Sequence, residues 1–288
     1  MRIGIVGLGL IGGCLGLDLR SGGHEVFGVA RRSQTCTAAL QAKVVDQAST
    51  ELSSVSKCNV VFVCTPIATI VPMVEQLATL LSPQAVITDV GSVKGALVAA
   101  ATQRWARFVG GHPMSGKSEA GIGSAERGLF QGNAYVITPV EQDVANGDTL
   151  KTDGDAIALV EQLATELGSV LYRCTPETHD RAVAWISHLP VMVSANLIQS
   201  AMDEPNESVR QLAQKLASSG FRDTSRVGGG NAELGLMMAR YNRDEVLRSL
   251  KRYQDVIALT IEQLETEDWS GVAQKLEGTE AARSLFLG

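Results

Sequence analysis

Gly7-Leu8-Gly9-Leu10-Ile11-Gly12 has the spacing of a glycine loop that cradles a pyrophosphate, and it follows a β-branched run at once. Gly7 permits the tight turn, Gly9 lets the backbone approach the phosphates, and Gly12 allows a helix to pack closely. The helix opened by Leu10 and Ile11 would then aim its N-terminal N–H groups at negative charge. Where an NAD site carries an acid for the ribose hydroxyls, the chain has Ala30-Arg31-Arg32-Ser33. Two guanidiniums and a hydroxyl suit a 2′-phosphate, so the expected cofactor is NADP; two solvated arginines after a strand is the competing reading. Hydride removal from a carbinol carbon also needs a base for the hydroxyl proton, and histidine is best matched to neutral pH. Of the four histidines, His112 is the candidate, because Gly110-Gly111-His112-Pro113 reads as a glycine-framed loop just after a strand. His24 reads as a solvated turn residue, and His179 and His188 as structural residues of a helix.

These groups need a scaffold, and the first 172 residues read as one. Short apolar runs at Arg2–Val6, Glu25–Val29, Val60–Cys64, Ala85–Asp89, Phe108–Gly110, Ala134–Thr138 and Val170–Cys174 alternate with helical stretches. That alternation predicts a parallel sheet covered by helices, a Rossmann-type α/β domain over residues 1–172. Thr65, Pro66 and Ser92 fall at carboxyl ends of strands, where open sheets of this kind put their ligand crevice. After Thr175-Pro176-Glu177, which has a capping hydroxyl and a proline in the first turn, the strands stop. Residues 173–288 read as an all-helical domain, with a kink at Pro190 and an apolar stripe through Leu247, Leu250, Ile257, Ile261 and Leu264. Such stripes pack between subunits, so a homodimer through this domain is expected. Glu141–Asp155 reads as an exposed polar loop.

Taken in order, GxGxxG at the start, DVGSVK at 89–94, GGHPMSG at 110–116, HD at 179–180, SHLP at 187–190 and GFRDTSR at 220–226 span nearly the whole chain. The combination resembles the prephenate/arogenate dehydrogenases of tyrosine biosynthesis. The resemblance implies that His112 is catalytic, that Ser92 helps to hold a ring hydroxyl and that Arg226 binds a substrate carboxylate. The residues alone read Arg226 equally as an exposed arginine before Gly228-Gly229-Gly230. Many prephenate-using relatives read SHLPH, with the last histidine on the substrate side chain; this chain has Val191. The expected reaction is therefore NADP-dependent oxidative decarboxylation of arogenate, with prephenate dehydrogenase as the alternative. A β-hydroxyacid dehydrogenase would share both halves of the fold, but its helical lysine motif finds no match between Thr175 and Asn206. A redox sensor binding NADP without chemistry is the reading from another class.

Composition excludes other functions. With 288 residues, a net charge of −6 and no run of Lys or Arg, the chain lacks the basic footprint of nucleic-acid or anionic-membrane binding. No uninterrupted apolar run reaches the roughly 18 residues of a bilayer span. Five cysteines without a CxxC pair, and no cluster at metal spacing, point to free thiols and no metal. A cytoplasmic protein fits.

Overall fold

The computed structural model describes residues 1–117, 119–143 and 149–287. The first part alternates β1 (Arg2–Val6), α1 (Leu10–Ser21), β2 (Glu25–Val29), α2 (Ser33–Gln41), β3 (Gln47–Ser49), β4 (Val60–Val63), α3 (Ile67–Ala78), β5 (Val86–Asp89), α4 (Gly95–Arg104) and β6 (Phe108–Pro113). It continues through β7 (Ala134–Thr138), β8 (Glu141–Asp143), β9 (Thr149–Lys151), α5 (Gly154–Glu166) and β10 (Val170–Arg173). The main sheet runs β10-β7-β6-β5-β4-β1-β2-β3. From β3 to β6 this is the doubly wound order, reversing between β1 and β4, and that switch point opens a crevice at the carboxyl ends of both strands.

Both faces are covered, as the near-continuous apolar strands require. Val60 and Phe62 of β4 join Ile3 and Ile5 against Leu15 and Leu19 of α1 and Val160 and Leu163 of α5. Val61 and Val63 point the other way, onto Val74 and Leu77 of α3 and Val98 and Ala101 of α4. Each fully buried aliphatic side chain contributes about 1.5–3 kcal/mol, which fixes the register, since a one-residue slip would exchange the two faces.

Three features differ from the sequence-based expectation. The sheet is parallel only as far as β6; β7 pairs antiparallel with β6, and β10 follows β7. Strand β6 also continues to Pro113, so His112 lies in the strand, opposite Val136 of β7, and not in a loop after it. Within Glu141–Asp155, β8 and β9 form a small antiparallel ribbon, and Asp153 caps α5 by accepting the Ala156 N–H; residues 144–148 of that expected loop lie outside the described ones.

From Pro176 onward the chain is helical: α6 (Pro176–Val183), a π-turn over Ala184–His188, α7 (Leu189–Met202), α8 (Glu207–Leu216), α9 (Ser219–Ser225), α10 (Ala232–Tyr241), α11 (Arg243–Glu265) and α12 (Trp269–Leu287). The Thr175 hydroxyl accepts the Thr178 N–H, as its position at the helix start predicts. Pro190 has no N–H to offer the preceding turn, and the expected kink takes the form of the wider π-turn just before it. Pro176–Met202 taken as one helix is long and apolar enough to cross a bilayer, with a mean hydropathy of 1.2, which uninterrupted apolar runs did not reveal. Its polar groups place it otherwise: His179, Asp180, His188 and Ser194 are buried and hydrogen-bonded to residues of other segments.

Candidate active site

At the switch point the three glycines differ in the space around them. Gly7 has φ +107°, and a Cβ there would stand 2.5 Å from the Cys64 carbonyl oxygen, so β1 and β4 meet without room for a side chain. A Cβ on Gly12 would stand 2.0 Å from the Gly7 carbonyl oxygen, so α1 packs on its own loop. A Cβ on Gly9 would meet nothing within 4 Å. That open space lies at the start of α1, which has no side-chain cap and no acid in its first turn. Its first N–H groups, at Leu10, Ile11 and Gly12, are thus available to an anion. Across the crevice Thr65 presents a buried hydroxyl without a protein partner, and Pro66 begins α3. Arg31, Arg32 and Ser33 are exposed at the end of β2, Ser33 opening α2. Cradle, orphaned hydroxyl and cationic rim all fit a dinucleotide with its phosphates on α1.

Beyond β4 the strand ends carry a polar cluster. Lys94 and Asp89 form an ion pair that is fully buried, and the Lys94 ammonium also donates to the Gly111 carbonyl at 2.8 Å. Asp89 accepts from Gly91 N–H at 2.8 Å and Gly111 N–H at 3.2 Å, tying the ends of β5 and β6 together. His112 follows directly, its Nδ1 2.8 Å from His179 Nε2 of α6. Burial first, then the neighbouring His179, Lys94 and His188, hold the His112 imidazole well below its usual pKa. It is neutral at physiological pH, which a base must be.

Other candidates are placed less centrally. Ser92 is half-buried in the β5–α4 loop, just past the carboxyl end of β5, which runs parallel beside β6. Arg226 is exposed at the end of α9. Its loop is anchored two residues later, where the Gly228 N–H donates to Ser194 Oγ of α7 and a Cβ would strike the Ala195 nitrogen at 2.2 Å. Val191 is half-buried on α7 and faces Gly235 of α10. His24 is not the solvated residue expected, since its ring bridges Glu166 at 2.8 Å and the amino terminus at 3.3 Å. His188 is buried against Asn242, with Nε2 unpartnered. Sequence reasoning assigned no role to Asp89, Lys94 or Asp180 and gave His179 a structural one; charged residues inside otherwise apolar strand ends and helices were the signal available.

The chain matches the family described as "Prephenate dehydrogenase, nucleotide-binding domain" over residues 15–172 and "Prephenate dehydrogenase, dimerization domain" over 175–278. It is 30% identical over 275 residues to the prephenate dehydrogenase of Bacillus subtilis, covering 92% of this chain and 71% of that one. Among solved structures, the arogenate dehydrogenase of Synechocystis is similar at a TM-score of 0.89 and 46% identity, over 99% of this chain and 100% of that one. The prephenate dehydrogenase of A. aeolicus in complex with hydroxyphenyl propionate and NAD+ is similar at 0.90 and 25% identity, over 99% and 97%. The chain belongs to the prephenate dehydrogenase family.

Proposed function

We propose that this member of the prephenate dehydrogenase family is an NADP-dependent arogenate dehydrogenase, with His112 as the general base. The observation that carries the reading is a neutral, half-buried His112 near the carboxyl end of β6, two strands from β4 of the dinucleotide crevice. The preference for arogenate rests on Val191, which cannot hydrogen-bond a pyruvyl side chain, and on the 46% identity to an arogenate dehydrogenase. The preference for NADP is supported by Arg31, Arg32 and Ser33 in place of an acid, while the A. aeolicus relative was solved with NAD+.

Gly7, Gly9, Leu10, Ile11, Gly12, Thr65 and Pro66 would hold the cofactor, which supplies the hydride acceptor when bound. His112 takes the proton of the ring hydroxyl as the carbon–oxygen bond becomes a carbonyl, with Ser92 steadying that hydroxyl. The carbonyl then receives the electron pair of the bond to the ring carboxylate, carbon dioxide leaves, and the proton returns from His112 to the oxygen to give a phenol. No net proton is released, and aromatisation drives the second half. Arg226 would fix a carboxylate of the substrate.

Ile257 of α11 lines an apolar groove of about 650 Å³ together with Val193, Leu197, Leu250 and Tyr253, and Ile261 and Leu264 are exposed further along the same helix. A second copy packed there would make the homodimer that the dimerization domain of the family implies. The division expected at 172/173 falls one residue inside β10, which ends at Arg173, and the helical half starts at Pro176. All five cysteines are free, which suits a reducing compartment and a place in the cytoplasm.

The test is reduction of NADP and NAD by purified protein with arogenate and with prephenate. Arogenate with NADP should give the highest kcat/KM. His112→Asn should fold and bind cofactor yet lose about 10²–10⁴-fold in kcat. A variant with near wild-type kcat would remove His112 from the chemistry and leave the sensor reading.

A further inference from the structure

One nitrogen of His112 is left for chemistry, and which one is decided two residues away. Asp180 Oδ1 lies 2.8 Å from His179 Nδ1 and accepts the Lys94 N–H at 2.7 Å, while Oδ2 accepts the Gly95 N–H at 2.7 Å. A carboxylate only accepts, so His179 Nδ1 is the donor and a neutral His179 keeps its lone pair on Nε2. That lone pair stands 2.8 Å from His112 Nδ1. His112 must then donate from Nδ1 and carry its own lone pair on Nε2. The rings meet edge to face at a centroid distance of 5.0 Å, and His179 and Asp180 are both buried, so solvent does not compete for these contacts.

We propose that His179 and Asp180 are positioning residues for His112, holding its ring in the Nδ1–H tautomer with Nε2 bare toward the crevice and supporting the charge it gains with the substrate proton. The inference rests on the reading of His112 as the base. When Nε2 takes the hydroxyl proton, the oxygen–hydrogen bond breaks and a nitrogen–hydrogen bond forms. Nδ1–H stays donated to His179 and His179 Nδ1–H to Asp180, so a carboxylate faces the new cation through one intervening ring. Aspartate–histidine pairs hold a catalytic base by the same logic elsewhere, and losing the right tautomer there costs up to about 10⁴-fold. An uncommitted imidazole would share its proton between the two nitrogens and stand part of the time with Nε2 blocked. Because α6 supplies both residues and β6 supplies His112, the base is competent only when the helical part is docked on the sheet.

Two substitutions of His179 separate positioning from packing. In His179→Asn the amide reaches Asp180 but not His112; in His179→Gln it reaches His112, where its oxygen can accept the Nδ1–H. With histidine-selective ¹⁵N labelling, long-range correlation spectra of the full protein should show wild-type His112 protonated at Nδ1 and bare at Nε2, the signal being assigned by its loss in His112→Asn. His179→Asn should move His112 toward the Nε2–H form and lower kcat at least about tenfold, with KM and cofactor affinity unchanged. His179→Gln should retain the wild-type tautomer and most of kcat. Wild-type tautomer and kcat in His179→Asn would overturn the proposal. So would equal losses in both variants that track their melting temperatures. If His112→Asn itself keeps its activity, the base assignment fails first; if that variant is dead and His179→Asn is normal, only the positioning role fails.

Discussion

Asp180, on the first helix after the sheet, accepts the backbone N–H of Gly95 at 2.7 Å and so caps α4 of the nucleotide-binding part, which has no cap of its own. A helix start left without an acceptor loses about 0.5–2 kcal/mol. Asp180→Ala also strips a partner from the Lys94 N–H. The variant should lower the melting temperature by several degrees, whereas His179→Gln should leave it nearly unchanged. A calorimetric scan compares them, and an Asp180→Ala protein that melts with wild type would deny that this carboxylate ties the two parts together.

Gly9 and Gly12 should fail in opposite ways when changed to alanine. Gly9→Ala puts a methyl into open space, so the protein should melt normally and lose cofactor affinity because the phosphate cradle is filled. Gly12→Ala forces a contact of 2.0 Å with the Gly7 carbonyl and should destabilise the apoprotein itself. Fluorescence titration with NADPH and thermal melts of both variants check the division; unaltered binding in Gly9→Ala would move the phosphates elsewhere.

Arg31 and Arg32 should discriminate between cofactors more than they support either. Replacing both with alanine should weaken NADP by about 1.5–3 kcal/mol for each charged hydrogen bond lost, toward the lower end because both side chains are exposed, and leave NAD nearly unaffected. Parallel dissociation constants for the two cofactors are the measurement. A loss shared equally by both would return these arginines to the role of solvated charges.

Acid should destabilise the folded protein in a defined window. Burial, with His179 adding to it and Asp180 opposing, pushes His188 down to about 4, while an unfolded imidazole titrates near 6.5. Between those values the unfolded chain carries the extra proton, so stability falls as pH drops from about 6.5 to about 4 and levels off below, by about 1.4 kcal/mol per pH unit for one group. His112, also lowered, adds to the slope. Urea midpoints across this range should show a shallower decline in His188→Asn; an identical slope in the variant would clear His188 of the effect.

Val191 should set the preference for the substrate side chain. Leaving a polar group of the ligand unpaired beside a valine costs about 1–3 kcal/mol, so arogenate should exceed prephenate by at least roughly tenfold in kcat/KM. Val191→His should narrow the gap by improving prephenate. Both substrates are measured on both proteins at saturating NADP, and a wild type that favours prephenate rejects the assignment.

What the sequence determined by itself was local. The order of apolar strands and helices, the three glycines of the first turn, the cap at Thr175 and the candidacy of His112 each depend on neighbours within a few residues, where sterics and hydrogen bonding act without help from the rest of the chain. The resemblance in order of six short motifs was likewise legible, because spacing along the chain is all that it needs. Tertiary structure decided what depends on distant partners. It paired β7 against β6 and so drew His112 into a strand, widened the helix before Pro190 into a π-turn, and put His24 on Glu166 of α5. Most of all, it brought His179 to His112 across 67 residues and Asp180 to the start of α4 across 85. Which nitrogen of an imidazole is free, and how far burial lowers its pKa, follow from those contacts and the exclusion of water around them, and neither is a property of any sequence window.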